Sequence, residues 1–365
     1  MELTKCKLGE LITQRREKSD GTPLPICGVS KDGLIPPKQI DADTSIYNVF
    51  YRDDFIFNPA RMELNSIAIN DKYDRAICSS LYEVFYVHRT DLLLPHYLKL
   101  IVKQKWFTRY CEFLGQGSAR EYCRFNNISE IEIEFPSIEE QKKIVEHYTA
   151  LQNRIAIKKQ INDNLLATSQ AIYKSWFVDF DPFGGVCPQN WLGGCVDDIA
   201  EFYDSMRKPL SSLERADMER IYPYYGAVSI VDYVDDFIFD GEYLLVSEDG
   251  IYVVDENGHP LLQHITGKFW ANNHAHILKG KAGFNEDSLY LFLANTNMAP
   301  IVTGAAQPKI NQANLKSFPI TIPTSEVIEN FNAIIQPFFD QRLTNEAEIK
   351  KLENLKDLLL TRLVD

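Results

Sequence analysis

Residues 137–177 read SIEEQKKIVEHYTALQNRIAIKKQINDNLLATSQAIYKSWF, and this stretch decides the architecture. It contains neither Gly nor Pro. Ile144, Tyr148, Leu151, Ile155, Ile161, Leu165, Ile172 and Trp176 recur mostly three or four residues apart, the spacing of one apolar stripe along a helix and close to a coiled-coil seam. Pro136 stands before it. Ser137 and Glu140 supply a start signal, because the hydroxyl accepts from a free amide of the first turn and the carboxylate reaches back. At about 1.5 Å per residue the stretch makes a rod of roughly 60 Å, which suits a spacer better than a globular core. Asn162, Asp163 and Asn164 are expected to fray or bend its middle.

The C-terminus repeats the arrangement. After Pro323, residues 324–365 place Phe331, Ile334, Ile335, Phe338, Leu352, Leu355 and Leu359 at similar spacing. Pro337 lacks the amide donor of a helical residue and is expected to kink or break this second helix. The chain thus reads as α+β: a domain over 1–136, a long helix over 137–180, a second domain over 181–323 and a second long helix over 324–365. Asp181–Gly194, DPFGGVCPQNWLGG, has the Gly and Pro density of a linker into the second domain.

Bulk properties narrow the class. A chain of 365 residues accommodates two domains, and 45% hydrophobic with 24% charged residues is ordinary for a soluble globular protein. The start, MELTKCKLGELITQRREK, lacks the form of a signal peptide, and no apolar run approaches a membrane span, so a cytoplasmic location is expected. The seven cysteines make no CxxC pair and have no histidines at zinc-ligand spacing, so they read as reduced thiols. Net charge is −13, unevenly placed: residues 1–180 carry 24 Lys+Arg and 24 Asp+Glu, residues 181–365 carry 14 and 27. That balance argues against a free-standing, high-affinity DNA binder, since phosphate contacts dominate non-specific affinity, but not against a reader whose partners contribute basic surface.

An internal duplication follows from three matches. Leu8-Gly9 matches Leu192-Gly193, YRDDFIFN at 51–58 matches YVDDFIFD at 233–240, and residues 117–136 match 304–323 from Gly to Pro. Each copy then enters its long helix. Strands are expected over 54–58, 66–69 and 81–87, and over 237–239, 243–247, 251–254 and 274–278; helices over 95–113 and 288–296.

Chemistry is sparse. The chain has no Gly-rich phosphate loop, no GxSxG elbow and no HExxH. His274 and His276 alternate but have no partner ligand at matching distance, so neither a metal nor a catalytic group is expected. What remains is polar and aromatic loop chemistry. Lys103, Lys105, Arg109, Arg120, Tyr122 and Arg124 form the densest basic patch. In the second copy Gln307, Lys309 and Asn311 occupy the equivalent stretch, and Tyr224, Tyr225, Lys268 and Asn272 lie in other loops. Lys and Arg contact phosphates; Arg, Asn and Gln read base edges. Any one of them alone reads more readily as ordinary solvated loop chemistry.

The whole pattern resembles the specificity (S) subunit of type I restriction–modification systems. The resemblance is carried by the duplicated β-rich domains, by IYKSWFVDFDPF at 172–183, by residues 224–250 and by TGAAQPKINQANLKSFPITIP at 303–323. It implies a non-catalytic reader of double-stranded DNA, each domain a target recognition domain for one half of a split asymmetric site. It further implies that the two helices pack antiparallel as a coiled-coil spacer, set the spacing and dock two adenine-methyltransferase (M) subunits, with restriction/translocase (R) subunits joining them. S-adenosylmethionine and ATP/Mg would then sit in those partners, with no cofactor on this chain. The expected helix-packing set is Ile144, Tyr148, Leu151, Ile155, Leu165, Ile172, Trp176, Phe331, Phe338, Leu352, Leu355 and Leu359. A methylation-only or bifunctional relative fits the same residues, as does, from another class, a protein-interaction scaffold.

Overall fold

The structure is a computed structural model that describes residues 3–37, 39–40, 43–115, 122–304 and 306–361. It divides into two compact units, residues 1–157 with 349–365, and residues 158–348. Each long helix therefore contributes to both.

In the first unit the strands are β1 (Thr4–Lys7), β2 (Ile12–Arg15), β3 (Ile26–Ser30), β4 (Gly33–Ile35), β5 (Asn48–Tyr51), β6 (Phe55–Phe57), β7 (Ile67–Ile69), β8 (Arg75–Cys78), β9 (Glu83–Val87) and β10 (Glu132–Phe135). They form two four-stranded sheets, β2-β9-β6-β7 and β4-β3-β8-β5, and a β1-β10 ribbon. The helices are α1 (Pro95–Val102), α2 (Lys105–Gly115), α3 (Phe125–Ser129) and α4 (Ile138–Phe177). Side-chain alternation distributes β6 between two cores. Phe55 and Phe57 join Phe85, Leu98, Ile101 and Phe107 under the helices, while Ile56 faces Cys27, Phe50 and Cys78. The expected single helix over 95–113 is two. Its chain turns at Lys103, whose amine is drawn inward to the carbonyls of Lys31 and Ile67.

The second unit holds β11 (Leu192–Cys195), β12 (Ala200–Phe202), β13 (Tyr222–Tyr225), β14 (Ile230–Val234), β15 (Phe239–Ser247), β16 (Leu262–Ala271), β17 (Ala275–Gly280) and β18 (Pro319–Ile322). Its helices are α5 (Val196–Ile199), α6 (Ser212–Ala216), α7 (Glu286–Ala294), α8 (Gln312–Lys316) and α9 (Ser325–Thr361). One six-stranded sheet runs β12-β17-β15-β16-β13-β14. Alternation again divides the faces: Leu244 and Val246 enter the core with α7 and α9, Tyr243 and Leu245 the opposite one. The expected strand over 251–254 does not form. Ile251 and Tyr252 project into solvent, and Val254 makes only an isolated bridge to Pro260.

Topology confirms the duplication and corrects its register. A parallel pair recurs, β3-β8 and β13-β16, each with an antiparallel hairpin partner, β4 and β14. The β1-β10 ribbon recurs as β11-β18, and α3 as α8. The amide of Leu8 donates to Ile131 O at 2.8 Å and that of Val196 to Phe318 O at 3.1 Å. Leu8 thus corresponds to Val196 rather than Leu192. The YRDDFIFN and YVDDFIFD segments also part company. Phe55–Phe57 form β6, whereas Tyr233 lies within β14 and β15 begins only at Phe239. The third match holds: β10 and β18 lie at the same offset as α3 and α8.

The helices pack antiparallel. Ile155 meets Ile349 and Leu352, with Leu151 alongside, in the first unit. In the second, Lys158 reaches Asn345 Oδ1 at 3.0 Å and Glu348 at 2.7 Å, and Tyr173 meets Phe331 at 6.3 Å between ring centroids. Numbers rise along α4 as they fall along α9. Neither helix breaks where the sequence suggested. Asn162 is buried, accepting from Asn345 Nδ2 at 2.8 Å and donating to Arg342 O at 3.3 Å, so it joins the seam instead of fraying it. Pro337 and Ala333, whose carbonyl loses its donor, both lie exposed, where water replaces the bond. Of the expected seam residues, Ile144 packs on the first unit's core and Ile172 and Trp176 on the second's; Tyr148, Leu165 and Leu359 are half-buried. Phe331 is buried, but the stripe continues through Ile335 and Phe339, leaving Phe338 half-buried and Leu355 half exposed.

Gln141 anchors α4 to its domain. Fully buried, it accepts from Leu94 N at 2.9 Å and donates to Leu92 O and Pro136 O at 2.8 and 2.9 Å. The corresponding position of α9 is the buried Ile328. Gln141→Leu leaves three buried backbone groups without partners and should destabilise the first unit by about 2–4 kcal/mol, read as a shift of its urea midpoint.

Candidate nucleic-acid interface

In the first unit the turn after β8, residues 79–82, forms a ridge between two clefts. One, of about 400 Å³, is lined by Gln14, Arg16, Lys18, Asn48 and Arg124; the other, of about 970 Å³, by Gln39, Asn58, Arg61, Tyr122 and Arg124. The sheet positions this ridge. Glu83 at the start of β9 accepts from Phe125 N at 2.7 Å and Arg124 Nη1 at 3.2 Å, which ties the N-terminus of α3 to the turn. Arg124 also lies over the Tyr122 ring at 5.4 Å, so its largely exposed guanidinium is held in one direction.

The basic patch expected here is divided. Lys105 and Arg109 line a separate cleft of about 490 Å³ with Lys31, Glu63 and Glu112. Lys103 is internal: its amine donates to Asn65 Oδ1 and Ile67 O, both at 3.1 Å, and to Lys31 O, and burial lowers its ammonium to about 8. Those bonds use its three donors. Arg120 lies outside the described residues. Arg16, Lys18 and Arg61 went unnoticed in the sequence, where the adjacency Arg15-Arg16 was the available signal. The structure separates that pair. Arg15 is bound to Asp54 at 2.6 Å between the Tyr51 and Tyr86 rings, and Arg16 is exposed beside the cleft.

The second unit's expected residues are mostly committed to the fold. Tyr224 is buried, its hydroxyl accepting from Leu210 N at 3.0 Å, and Tyr225 packs edge-on to Phe269. Asn272 is buried and accepts from His274 N at 2.8 Å; Asn311 caps α8 by accepting from Asn314 N at 2.8 Å. Lys309 binds Glu248 at 2.8 Å. Gln307 and Lys268 are exposed, the latter's amine 4.4 Å from the Phe237 ring. In the turn between β16 and β17, Asn273 and His274 are exposed.

Comparison with known proteins decides the family. The model of the type I restriction modification DNA specificity domain matches residues 37–167 and again 188–354. The chain belongs to this family. It is 38% identical over 132 residues to a Haemophilus influenzae protein named as a type I restriction enzyme specificity subunit, covering 36% of this chain and 33% of that protein. It is 24% identical over 300 residues to the type I restriction enzyme MjaIX specificity subunit of Methanocaldococcus jannaschii, covering 75% and 69%. Its fold matches the crystal structure of the type I system S subunit from M. genitalium with a TM-score of 0.60 at 14% identity, covering 99% and 96%. Among the described residues no helix is long and apolar enough to cross a membrane.

Among the described residues, two clusters of a histidine with two carboxylates come together, both in the second unit. Asp204, Glu248 and His276 are buried and mutually satisfied. His276 meets Asp204 at 2.6 Å and Ile310 O at 2.8 Å, and Arg207 meets Glu248 at 2.6 Å. Burial opposes ionisation of Glu248, yet Lys309 and Arg207 hold it below its ordinary range. Arg207 and Lys309 thus bind one Glu248 oxygen each. His274 turns instead to Asp249, at 2.6 Å, so it shares no ligand position with His276. The second cluster joins the sheet to α7: His264 meets Glu242 at 2.7 Å and Asp287 at 3.5 Å, leaving a buried Asp287 oxygen without a hydrogen bond.

Two outcomes follow. Arg124→Ala should weaken DNA binding of the assembled protein on all sequences alike and lower the slope of log affinity against log salt by about one, measured over a salt titration. Burial, with Glu242 and Asp340 adding to it, pushes the Asp287 carboxyl up to about 7. The unfolded residue ionises near 4, so between about pH 4 and 7 the native state holds the extra proton and stability falls as pH rises. Asp287→Asn removes that loss, and its melting-temperature advantage over the parent should widen across this window; an advantage that stays constant would exclude the shift.

Proposed function

We propose that the chain is the DNA sequence-specificity component of a type I restriction–modification complex, each recognition domain reading one half of a split asymmetric site. The observation that carries this is the duplicated frame. Strand pairing, parallel partner and strand-to-helix hand-off recur in both units, while the exposed chemistry around the equivalent turns differs. Two copies of one frame with different surfaces suit two different half-sites. In this reading the paired helices set the spacing and dock two adenine-methyltransferase subunits, with restriction/translocase subunits completing the complex. S-adenosylmethionine and ATP/Mg belong to those partners, and the chain itself is non-catalytic. The acidic second half is compatible with DNA binding when partners supply cations around the duplex.

Base-resolved adenine methylation of the native genome, with and without the gene, tests this. Loss of one two-part methylated motif on deletion is the expected result. A methylome that does not change, together with failure to co-purify with a methyltransferase, would overturn the proposal. Within the assembled complex, Leu151→Pro should abolish partner association by breaking α4 beside the Ile155 seam, whereas Arg124→Ala should leave association intact. Pull-down of both variants separates the two roles.

A further inference from the structure

We propose that the turn joining β8 to β9 and its counterpart joining β16 to β17 are the base readers of the two domains, Leu81 contacting a thymine methyl and Asn273 an adenine edge. This rests on the DNA-recognition reading above and names residues for it.

The two turns are the same element. Each leaves the strand that has a parallel partner: Cys27 pairs with Cys78 in one unit and Tyr225 with Ala271 in the other. Each enters the strand that lies next to the central one, with Glu83 opposite Phe57 and Ala275 opposite Ser247. Each is braced by its first residue, whose side chain accepts from the amide two residues on, so that Leu81 stands at the position of His274 and Asn273 at that of Ser80. Ser79 Oγ accepts from Leu81 N at 3.3 Å, and Asn272 Oδ1 accepts from His274 N at 2.8 Å. Such a bond restrains the turn, which lowers the conformational freedom lost when it meets a ligand.

What differs is the tip. Leu81 is 79% exposed between Ser80 and Tyr82 and lines the larger cleft. It stands on the ridge between the clefts that carry Arg16, Lys18, Arg61 and Arg124. Cations on both sides of an apolar tip match phosphates on both sides of a groove. In the second unit Asn273 is exposed, and its own carbonyl lies 3.4 Å from Arg207 Nη1, within the buried charge network. Its side chain carries the donor and acceptor that pair bidentately with adenine, while a leucine can recognise only the thymine methyl. The duplication thus keeps the mount and changes the reader.

The test uses the chain with its native methyltransferase partner in cells, read by base-resolved adenine methylation. Asn273→Ala should cut discrimination at one position of one half-site by about tenfold or more, leaving the other half-site unchanged. Leu81→Ala, and independently Leu81→Gln, should relax one thymine-selecting position of the other half-site. A wild-type motif that all three variants reproduce unaltered would overturn the assignment while the specificity role stands. Loss of both half-sites together in the Leu81 variants would also overturn it, because the tip would then serve folding or assembly. If the wild type produces no two-part motif, the DNA-recognition reading itself fails and this inference with it.

Discussion

A buried amide pair in the helix seam constrains everything around it. Asn162 and Asn345 are almost fully buried, hydrogen-bonded to each other and flanked by the Lys158–Glu348 ion pair. An apolar pair would give more stability, but it would fit equally well one helical turn away. Two amides meet in one register only; a slip of α9 along α4 would bury both without partners. That choice places Tyr173, Trp176 and Phe177 against Phe331 and so fixes how α9 enters the second unit's core.

The same economy of polar groups governs the hand-off from sheet to helix. Gln141 satisfies three backbone groups of the first domain from inside α4, whereas α9 uses Ile328 at the equivalent place and relies on packing. Duplication has preserved the geometry of the joint while its chemistry diverged. Surface divergence follows the same pattern. Positions that face the cores retain apolar alternation, and positions on turns have changed kind.

Charge has been sorted by the fold in a way that counting along the chain does not capture. Lys103, Lys309, Arg15 and Arg207 are spent on carbonyls and carboxylates within the domains. Arg16, Lys18, Arg61 and Arg124 are exposed around the two clefts, although Lys18 also donates to Ile46 O and Asn48 Oδ1 and Arg124 to Glu83. An ammonium moved from water into the interior must recover its hydration from fixed oxygens. Lys103 and Arg207, the more deeply placed, are accordingly those with several acceptors around them.

The long helices were legible in the sequence because their signal is local: an apolar stripe with no Gly or Pro requires nothing from the rest of the chain. The duplication was legible too, although two of its three matches proved out of register. Short strands record which face a residue takes and not which neighbour it pairs with, so a similar run such as DDFIF can recur on non-equivalent strands. The Asn162 cluster read as a break, since an amide opposite its partner cannot be distinguished by sequence from one facing water. Likewise the sequence determined which residues carry charge, but not which of them are free. That depends on acceptors brought from distant segments, as Asn65, Ile67 and Lys31 are brought to Lys103, and only the tertiary structure decides which segments those are.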